Sequence, residues 1–354
     1  MGYCYRFPVV KGTQAGREYY IGMVPLNMLC KLFPEDDEYV LPEHRAQRKL
    51  NESRLPVITK YILDNKDTYV FSALTASIDG KYEYIPSSIE ETGILQISLD
   101  ARFLINDGQH RKAAILAALE EEPELGDETI SVVFFADKGL KRSQQMFTDL
   151  NKHAVKTSNS IAELYDSRDA LAVATRNMVQ AVPFFNEYVD KERDILGKFS
   201  SALFTLNTFY TANKRILSRK NVDDRFLEFI IDFWTAVSEH MIPWIELRKK
   251  ELSKMELREQ YIATQAVVIQ AFGKIGAYYY TNSEGMNTSI EKIEEINWKR
   301  SWDGWKLRVI RSNGRMINNE SAISLTAIVI KEQIGLPLND DEIAQESRFQ
   351  NSIK

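Results

Sequence analysis

The hydrophobic pattern of this 354-residue chain changes its period at about residue 157. Before that point, short runs rich in aromatic and β-branched residues alternate with Gly-containing turns, which is typical of β-strands. After it, nearly every apolar run has the three- to four-residue spacing of an amphipathic helix. The pattern predicts an α+β protein with two domains, strands with helices in residues 1–157 and a mainly α-helical domain in residues 158–354.

Three strand pairs are predicted in the first domain. The first is a hairpin of residues 3–24 that turns near Gly16, and the second turns at Asp79-Gly80, a dipeptide that favours tight hairpins. The third lies within residues 94–107, and a single strand follows at residues 129–136. In the second domain one long helical pattern, residues 246–280, exceeds the others in length.

Composition excludes several classes of protein. The chain is 44% hydrophobic, has no apolar run of about 18 residues, and lacks the pattern of a signal peptide at its start, so we expect a soluble cytoplasmic protein without a membrane partner. Its two cysteines and four histidines do not have the spacing of a zinc site, so no metal is expected. The net charge of −5 does not by itself suggest a nucleic-acid partner.

A polar turn, DGQHR at residues 107–111, separates an apolar strand-like run from an alanine-rich helix. Glycine relaxes the steric limits of such a turn, and the three residues after it would form the first turn of the helix. The free backbone N–H groups of a first turn carry partial positive charge and suit a phosphate, as do neighbouring His and Arg side chains. The candidate nucleotide- or phosphate-binding residues are Asp107, Gly108, Gln109, His110 and Arg111.

The same turn has an ordinary structural interpretation. Asp107 could cap the helix, hold a metal ion or orient His110, and these two residues are the catalytic candidates if the chain is an enzyme. Alternatively, Asp107 is a plain N-cap, Arg111 forms a surface ion pair and His110 is a satisfied side chain. The residues alone leave both interpretations open.

The octapeptide DGQHRKAA resembles the defining motif of the DGQHR-domain family, which is similar to the ParB and sulfiredoxin superfamily. The G-x-x-R-x-x-A pattern of that superfamily binds nucleotide phosphates, and here it falls on Gly108, Arg111 and Ala114. The resemblance implies a ParB/sulfiredoxin-like mixed sheet with helices. We expect loss of Arg111 to weaken nucleotide or DNA phosphate binding without unfolding the domain, because a charge-assisted contact is lost while the helix keeps its apolar face. Further nucleotide-facing candidates implied by the resemblance are Asn151, Lys152 and His153.

The chain departs from these relatives in two places. Gln109 stands where sulfiredoxin has its catalytic cysteine, which argues against sulfiredoxin chemistry. After Asn151, the basic residues do not follow the Asn-x-x-Arg pattern of ParB proteins. We still expect residues 107–111 and 151–153 to line one pocket, for which ATP or CTP with magnesium is the candidate ligand, although the sequence does not identify a cofactor.

Longer segments resemble the DndB family of DNA phosphorothioation systems, namely residues 44–50, 61–78, 147–158 and 197–207. The resemblance implies a DNA-binding negative regulator of the genes for this modification, in which sulfur replaces a non-bridging phosphate oxygen. Its implied partners are double-stranded DNA, a nucleotide, the modification enzymes and a second copy of the chain. Two alternatives are an NTPase that acts in DNA modification and a scaffold that docks on the modification enzymes.

Positive charge is concentrated in two stretches of this acidic chain. Residues 193–220 contain six Lys or Arg against one Asp, and residues 296–316 also contain six against one. In the second stretch three tryptophans alternate with the cations, and they either stack on bases or pack as a corner with a basic rim. The predicted DNA-contacting residues are Arg45, Arg48, Lys214, Arg215, Lys299, Arg300, Lys306, Arg308 and Arg311.

Cys30 is the redox candidate. It lies in an amphipathic segment, LNMLCKLF, where a single cysteine is more often a small buried hydrophobic residue than a sensor. We therefore expect it to be buried.

Overall fold

The chain divides into two compact units, Met1–Val155 and Lys156–Lys354. The computed structural model combines a mixed sheet with many helices, so the predicted α+β class is confirmed. No helix in the described part of the chain is long and apolar enough to cross a membrane. The structure describes residues 3–34, 52–136, 145–146, 149–150, 157–218, 220–282 and 285–353.

The described part of the first unit contains a seven-stranded sheet and three α-helices. The strands are β1 (Cys4–Gln14), β2 (Arg17–Pro25), β3 (Leu74–Asp79), β4 (Tyr82–Pro86), β5 (Thr92–Ser98), β6 (Arg102–Asp107) and β7 (Thr129–Phe135). The helices are α1 (Leu29–Leu32), α2 (Leu55–Asp64) and α3 (Gln109–Glu121). The strand order is β4-β5-β1-β2-β7-β3-β6, and neighbours are antiparallel except for the parallel pair β3 and β7.

The first predicted hairpin, β1 with β2, is confirmed. Alternation along β1 buries Phe7 and Val9 in the core and leaves the residues between and after them exposed, as a half-buried strand requires. Ala15 and Gly16 both have positive φ, 51° and 73°, which matches the twist of a two-residue hairpin turn.

The other two predicted strand pairs are wrong. β3 pairs with β6 and β7, whereas β4 pairs with β5, so the strands on either side of Asp79-Gly80 do not pair with each other. Nor does β5 pair with β6, because β5 lies between β1 and β4. Burial explains the difference: residues 74–78 of β3 are all buried and lie inside the sheet, while β4 is largely exposed and forms an edge.

The inward faces of the strands form one hydrophobic core with α3. The rings of Phe7 and Phe134 stack with their centroids 5.6 Å apart, and α3 adds the buried side chains of Ala114, Ile115 and Ala118. Because β6 and α3 both pack on this core, the turn that joins them has a defined position.

The described part of the second unit is almost entirely helical, with one short parallel strand pair, Val189–Asp190 and Phe204–Thr205. Its α-helices are α4 (Asn159–Tyr165), α5 (Ala170–Ala181), α6 (Pro183–Tyr188), α7 (Leu206–Leu217), α8 (Asp224–His240), α9 (Ile242–Arg248), α10 (Lys254–Gln260), α11 (Ala266–Asn282), α12 (Met286–Ile290), α13 (Glu320–Ile334) and α14 (Asp340–Ile353).

The long helix predicted over residues 246–280 is wrong, because three helices, α9 to α11, occupy that stretch. Lys250, with φ 62°, lies beyond the end of α9, and Ser253 and Glu256 form a capping box that begins α10. Local capping therefore divides a pattern whose hydrophobic period is continuous.

The second core centres on α7, α8 and α11. Trp234 on α8 is fully buried, and its Nε1 donates to Oδ1 of Asn213 on α7 at 2.8 Å. Gly273 lets α11 approach α7 closely, since a Cβ atom there would lie 2.7 Å from the carbonyl oxygen of Ala212.

Candidate functional site

The DGQHR turn has the predicted strand, turn and helix. β6 ends at Asp107, α3 begins at Gln109, and Gly108 between them has φ 102° and ψ 15°. A Cβ atom at Gly108 would lie 2.3 Å from Cδ2 of Leu74, and the positive φ disfavours any residue with a side chain. Glycine is therefore required both by the backbone conformation and by the close packing of β3.

Arg111 ties the start of α3 to the segment that precedes β3. Its Nη1 donates to the carbonyl oxygens of Ser72 at 2.6 Å and Ala73 at 2.9 Å, and also to the Ser72 hydroxyl. Its Nη2 pairs with the carboxylate of Asp107. The guanidinium is largely buried, with 17% of the side chain exposed. The N-cap role considered for Asp107 is wrong, because Gly108 occupies the N-cap position of α3. The carboxylate of Asp107 pairs with Arg111 instead.

Polar groups without a described partner lie beside this turn. No side chain in the described part of the chain caps the start of α3, and two buried atoms, Oδ1 of Asn106 and Nε2 of Gln109, have no hydrogen-bond partner among the described residues. Nδ2 of Asn106 donates to the Ser77 hydroxyl at 2.7 Å, which fixes the orientation of the amide. His110 is half-buried on the first turn of α3. Asn106 was not among the predicted residues, although a buried amide at the end of an apolar strand is a recognisable signal.

The predicted partner segment of the turn, Asn151 to His153, lies outside the described residues, as do Arg45 and Arg48. The shared pocket of residues 107–111 and 151–153 therefore stays a prediction. Among the residues that the structure describes, no group of three or more His, Cys, Asp or Glu side chains could hold a metal ion.

The tryptophans of residues 298–315 pack into the second core. Trp298 and Trp305 are buried and stack with centroids 5.8 Å apart and 17° between their planes. Trp305 donates from Nε1 to the carbonyl oxygen of Asn297 at 2.7 Å, and the half-buried Trp302 meets its ring edge-on. We call residues 298–315 the tryptophan corner. Its two buried rings, Trp298 and Trp305, pack in the core and are not exposed for stacking on nucleic-acid bases.

The tryptophan corner exposes four of its cations. Lys299, Arg311 and Arg315 are exposed and form no ion pair with any described residue, and Lys306 is exposed beside Asp303 at 2.6 Å. Arg311 and Arg315 lie at the two ends of a tight turn closed by the Arg311 N–H, which donates to the Arg315 carbonyl at 2.8 Å. Arg315 was not among the predicted contacts, although it shares this turn.

Two predicted DNA contacts are committed to ion pairs within the protein. Arg308 is only 8% exposed, and both of its terminal nitrogens donate to the carboxylate of Glu346. Arg215 makes the same bidentate contact with Glu320, at 2.9 and 2.7 Å. Neither guanidinium is available to a phosphate in this conformation, because a carboxylate already occupies its paired donors.

Arg300 is also withdrawn from solvent. It is half-buried, its Nε donates to the carbonyl oxygen of Tyr261 at 3.3 Å, and desolvation lowers the pKa of its guanidinium. In contrast, Lys214 is exposed in the last turn of α7, where a cation also offsets the helix dipole.

The expectation that Cys30 is buried is wrong, because its side chain is exposed. It lies on the solvent side of α1, whose Leu29 and Leu32 are buried on the opposite side. Its Sγ contacts the carbonyl oxygen of Asn27 at 3.5 Å. In a helix of four residues, Leu29 and Leu32 lie three positions apart on the buried face, and the intervening Cys30 faces water.

The hydrophobic pattern did not indicate one buried acid, Glu163 on α4. It is 9% exposed, and its Oε2 has no hydrogen-bond partner within the part of the chain that the structure describes. Burial and the negative charges of Asp194 and Asp169 raise the pKa of its carboxyl to about 8. Glu163 therefore holds a proton at neutral pH in the folded protein.

Glu163→Gln should stabilise the protein at alkaline pH by up to about 5 kcal/mol, because each unit of pKa difference between the folded and unfolded carboxyl corresponds to about 1.4 kcal/mol. The unfolded carboxyl ionises near 4.5 and the folded one near 8, so the native protein is most favoured below about 4.5 and loses this advantage as the pH rises through 8. Urea unfolding at pH 5, 7 and 9 measures the difference, with the exposed Glu251→Gln as a control. If the free energy of unfolding changes with pH in the same way for wild type and Glu163→Gln, the raised pKa of Glu163 is contradicted.

Comparison with known proteins adds one finding. A family model described as DndB, DNA-sulfur modification-associated, matches residues 7–337. The match extends over the DGQHR turn and the tryptophan corner, and it ends before α14 begins. No curated protein and no solved structure matches the chain.

Proposed function

Because the chain belongs to the DndB family of DNA-sulfur modification-associated proteins, we propose that it binds duplex DNA and represses the genes for DNA phosphorothioation. The observation that carries the DNA-binding part is the set of exposed cations on the tryptophan corner. Within a protein of net charge −5, such a cluster acts locally, because salt screens charges over roughly 8 to 10 Å. The proposed contacts are Lys214, Lys299, Lys306, Arg311 and Arg315.

The packing of the tryptophan corner supports this role. Buried Trp298 and Trp305 anchor the segment in the core, and the exposed Lys299 and Lys306 each directly follow one of these two rings. A rigid anchor lowers the entropy that the cations lose when they contact phosphates. Such contacts provide affinity for any sequence, and selectivity for a promoter requires other residues that contact base edges.

A phosphate or nucleotide grip at the DGQHR turn is the second part of the proposal. Its support is the start of α3, which no described side chain caps, beside the unpartnered Nε2 donor of Gln109. At this grip the backbone amides of the first turn of α3 and the Gln109 side chain contact the ligand. Arg111 fixes the conformation of the turn through its contacts with Ser72 and Asp107.

The triple variant Lys299→Ala, Arg311→Ala and Arg315→Ala should bind all DNA sequences more weakly. Each lost phosphate contact lowers the slope of log affinity against log salt by about 0.9, so the slope should fall by up to about 2.7. Binding isotherms for promoter and random duplexes at several salt concentrations measure this. The matched control replaces Arg248, Lys249 and Lys250, which are equally charged and exposed.

The outcomes of this experiment separate the candidate functions. Equal slopes for wild type and the triple variant would exclude the tryptophan corner as the DNA interface. If wild-type protein binds no DNA even at low salt, the chain is not a DNA-binding regulator. Turnover of ATP or CTP with magnesium would then favour the NTPase, and its absence would favour a scaffold for the modification enzymes.

A further inference from the structure

The C-terminal helix α14 is attached to the second unit mainly by polar contacts. It buries none of its residues, and Ile343 and Ile353 are 50% and 45% exposed. Asn339 and Glu342 cap its start through reciprocal hydrogen bonds of 2.9 and 3.0 Å. Residues 340–353 contain four acids and one arginine, so the helix is a negatively charged segment.

Two carboxylates of α14 pair with largely buried cations. Glu342 accepts from Nζ of Lys331 on α13 at 2.6 and 2.8 Å, and Glu346 accepts from both terminal nitrogens of Arg308. The side chains in these pairs are only 5% to 16% exposed. The guanidinium of Arg308 also lies 4.3 Å from the ring centroid of Phe349.

The carboxylates of Glu342 and Glu346 pair with Lys331 and Arg308 as phosphate groups could. Glu342 and Glu346 are four residues apart, so they lie on one face of α14, where the Cβ atoms of such a pair are about 5–6 Å apart. A bidentate contact to arginine is a geometry that carboxylates and phosphates share. Arg308 belongs to the tryptophan corner, three residues from the exposed Arg311.

The energetics of such pairs allow exchange. A buried ion pair gains Coulomb energy but loses the hydration of both charges, so its net contribution to stability is small. Removing only the carboxylate would leave buried positive charge, whereas replacing it with a phosphate keeps each cation paired. A helix with no buried apolar residue offers little further resistance to displacement.

We propose that Arg308 and Lys331 form a second contact surface for the phosphates of a nucleic-acid backbone, and that Glu342 and Glu346 of α14 occupy it until nucleic acid displaces the helix. This proposal rests on the proposed DNA binding and extends it: α14 limits affinity in the free protein. The family model ends at residue 337, before this helix, so the blocking segment lies outside the matched range.

The test compares two double variants that change the net charge equally. Glu342→Gln with Glu346→Gln removes both phosphate-like groups and keeps a side chain that can cap α14. Its affinity for a random duplex should rise at least about fivefold, and its salt slope should steepen by up to about 1.8 for two added contacts. The control, Asp340→Asn with Asp341→Asn, alters exposed acids on the same helix and should change affinity by less than about twofold.

A second measurement uses the wild-type protein and does not depend on how the variants fold. Hydrogen exchange of residues 340–353 should accelerate when random duplex DNA is added, because the displaced helix loses its contacts. If exchange is unchanged and the two double variants bind equally, the displacement proposal is wrong while DNA binding stands. If wild type binds no DNA and Glu342→Gln with Glu346→Gln does, the proposal is supported. If neither binds, both proposals fail.

Discussion

Replacing Arg111 with alanine should lower the free energy of unfolding by about 3 to 4 kcal/mol, because the protein loses one ion pair and three hydrogen bonds made by a largely buried guanidinium. The carbonyl oxygens of Ser72 and Ala73 lose their donor, and the carboxylate of Asp107 loses its cation. Urea unfolding measures the effect. Arg111→Lys should be intermediate, because an ammonium can pair with Asp107 but cannot reach all the acceptors at once.

The control for this prediction is Arg102→Ala, an exposed arginine on β6, which should change stability by less than about 0.5 kcal/mol. An Arg111→Ala protein as stable as wild type would show that the contacts of Arg111 are not structural. The prediction reverses the expectation that this variant weakens phosphate binding without unfolding the domain. Gln109→Ala is the better probe of ligand binding, because Nε2 of Gln109 has no partner within the described protein to lose.

Trp305→Ala should destabilise the protein by about 3 to 5 kcal/mol. Trp305 is fully buried, stacks on Trp298 and donates a hydrogen bond of 2.7 Å to Asn297, so alanine leaves a cavity and an unpaired carbonyl. Thermal or urea unfolding gives the difference. Trp302→Ala, at a half-buried position, is the matched control and should cost clearly less.

DNA binding provides the independent readout for Trp305. At a temperature where Trp305→Ala is still folded, its salt slope for random DNA should equal that of wild type, because a buried ring contacts no phosphate or base. A variant with normal stability and lost DNA affinity would instead place Trp305 in the interface and refute the packing interpretation.

Much of the local structure followed from short-range rules. The change of hydrophobic period predicted the α+β class, and alternation along β1 and β2 predicted their hairpin. Gly108 was identified from the strand and helix on either side of it, because few other residues tolerate a positive φ there. The helix α14 was missed, although Asn339 followed three residues later by Glu342 is a helix-capping signal in the sequence.

Contacts distant in sequence could not be predicted in this way. Arg215, Arg300 and Arg308 had the composition of a DNA-binding stretch, but their partners Glu320, Tyr261 and Glu346 come from other elements. A charge cluster in sequence does not specify which members face solvent, because that depends on the helices that pack beside them. The strand order depends likewise on which strands can be buried on both faces.

The sequence by itself determined the class of the fold, the strand, turn and helix at DGQHR, and the two basic stretches, because periodicity and backbone sterics act over a few residues. Only the tertiary structure decided that Arg111 is a structural tie, that Trp298 and Trp305 are core residues, and that Arg308 and Lys331 are covered by the acids of α14. Those outcomes depend on which distant groups meet when the cores form, and burial, hydration and pairing of charges are set only at that stage.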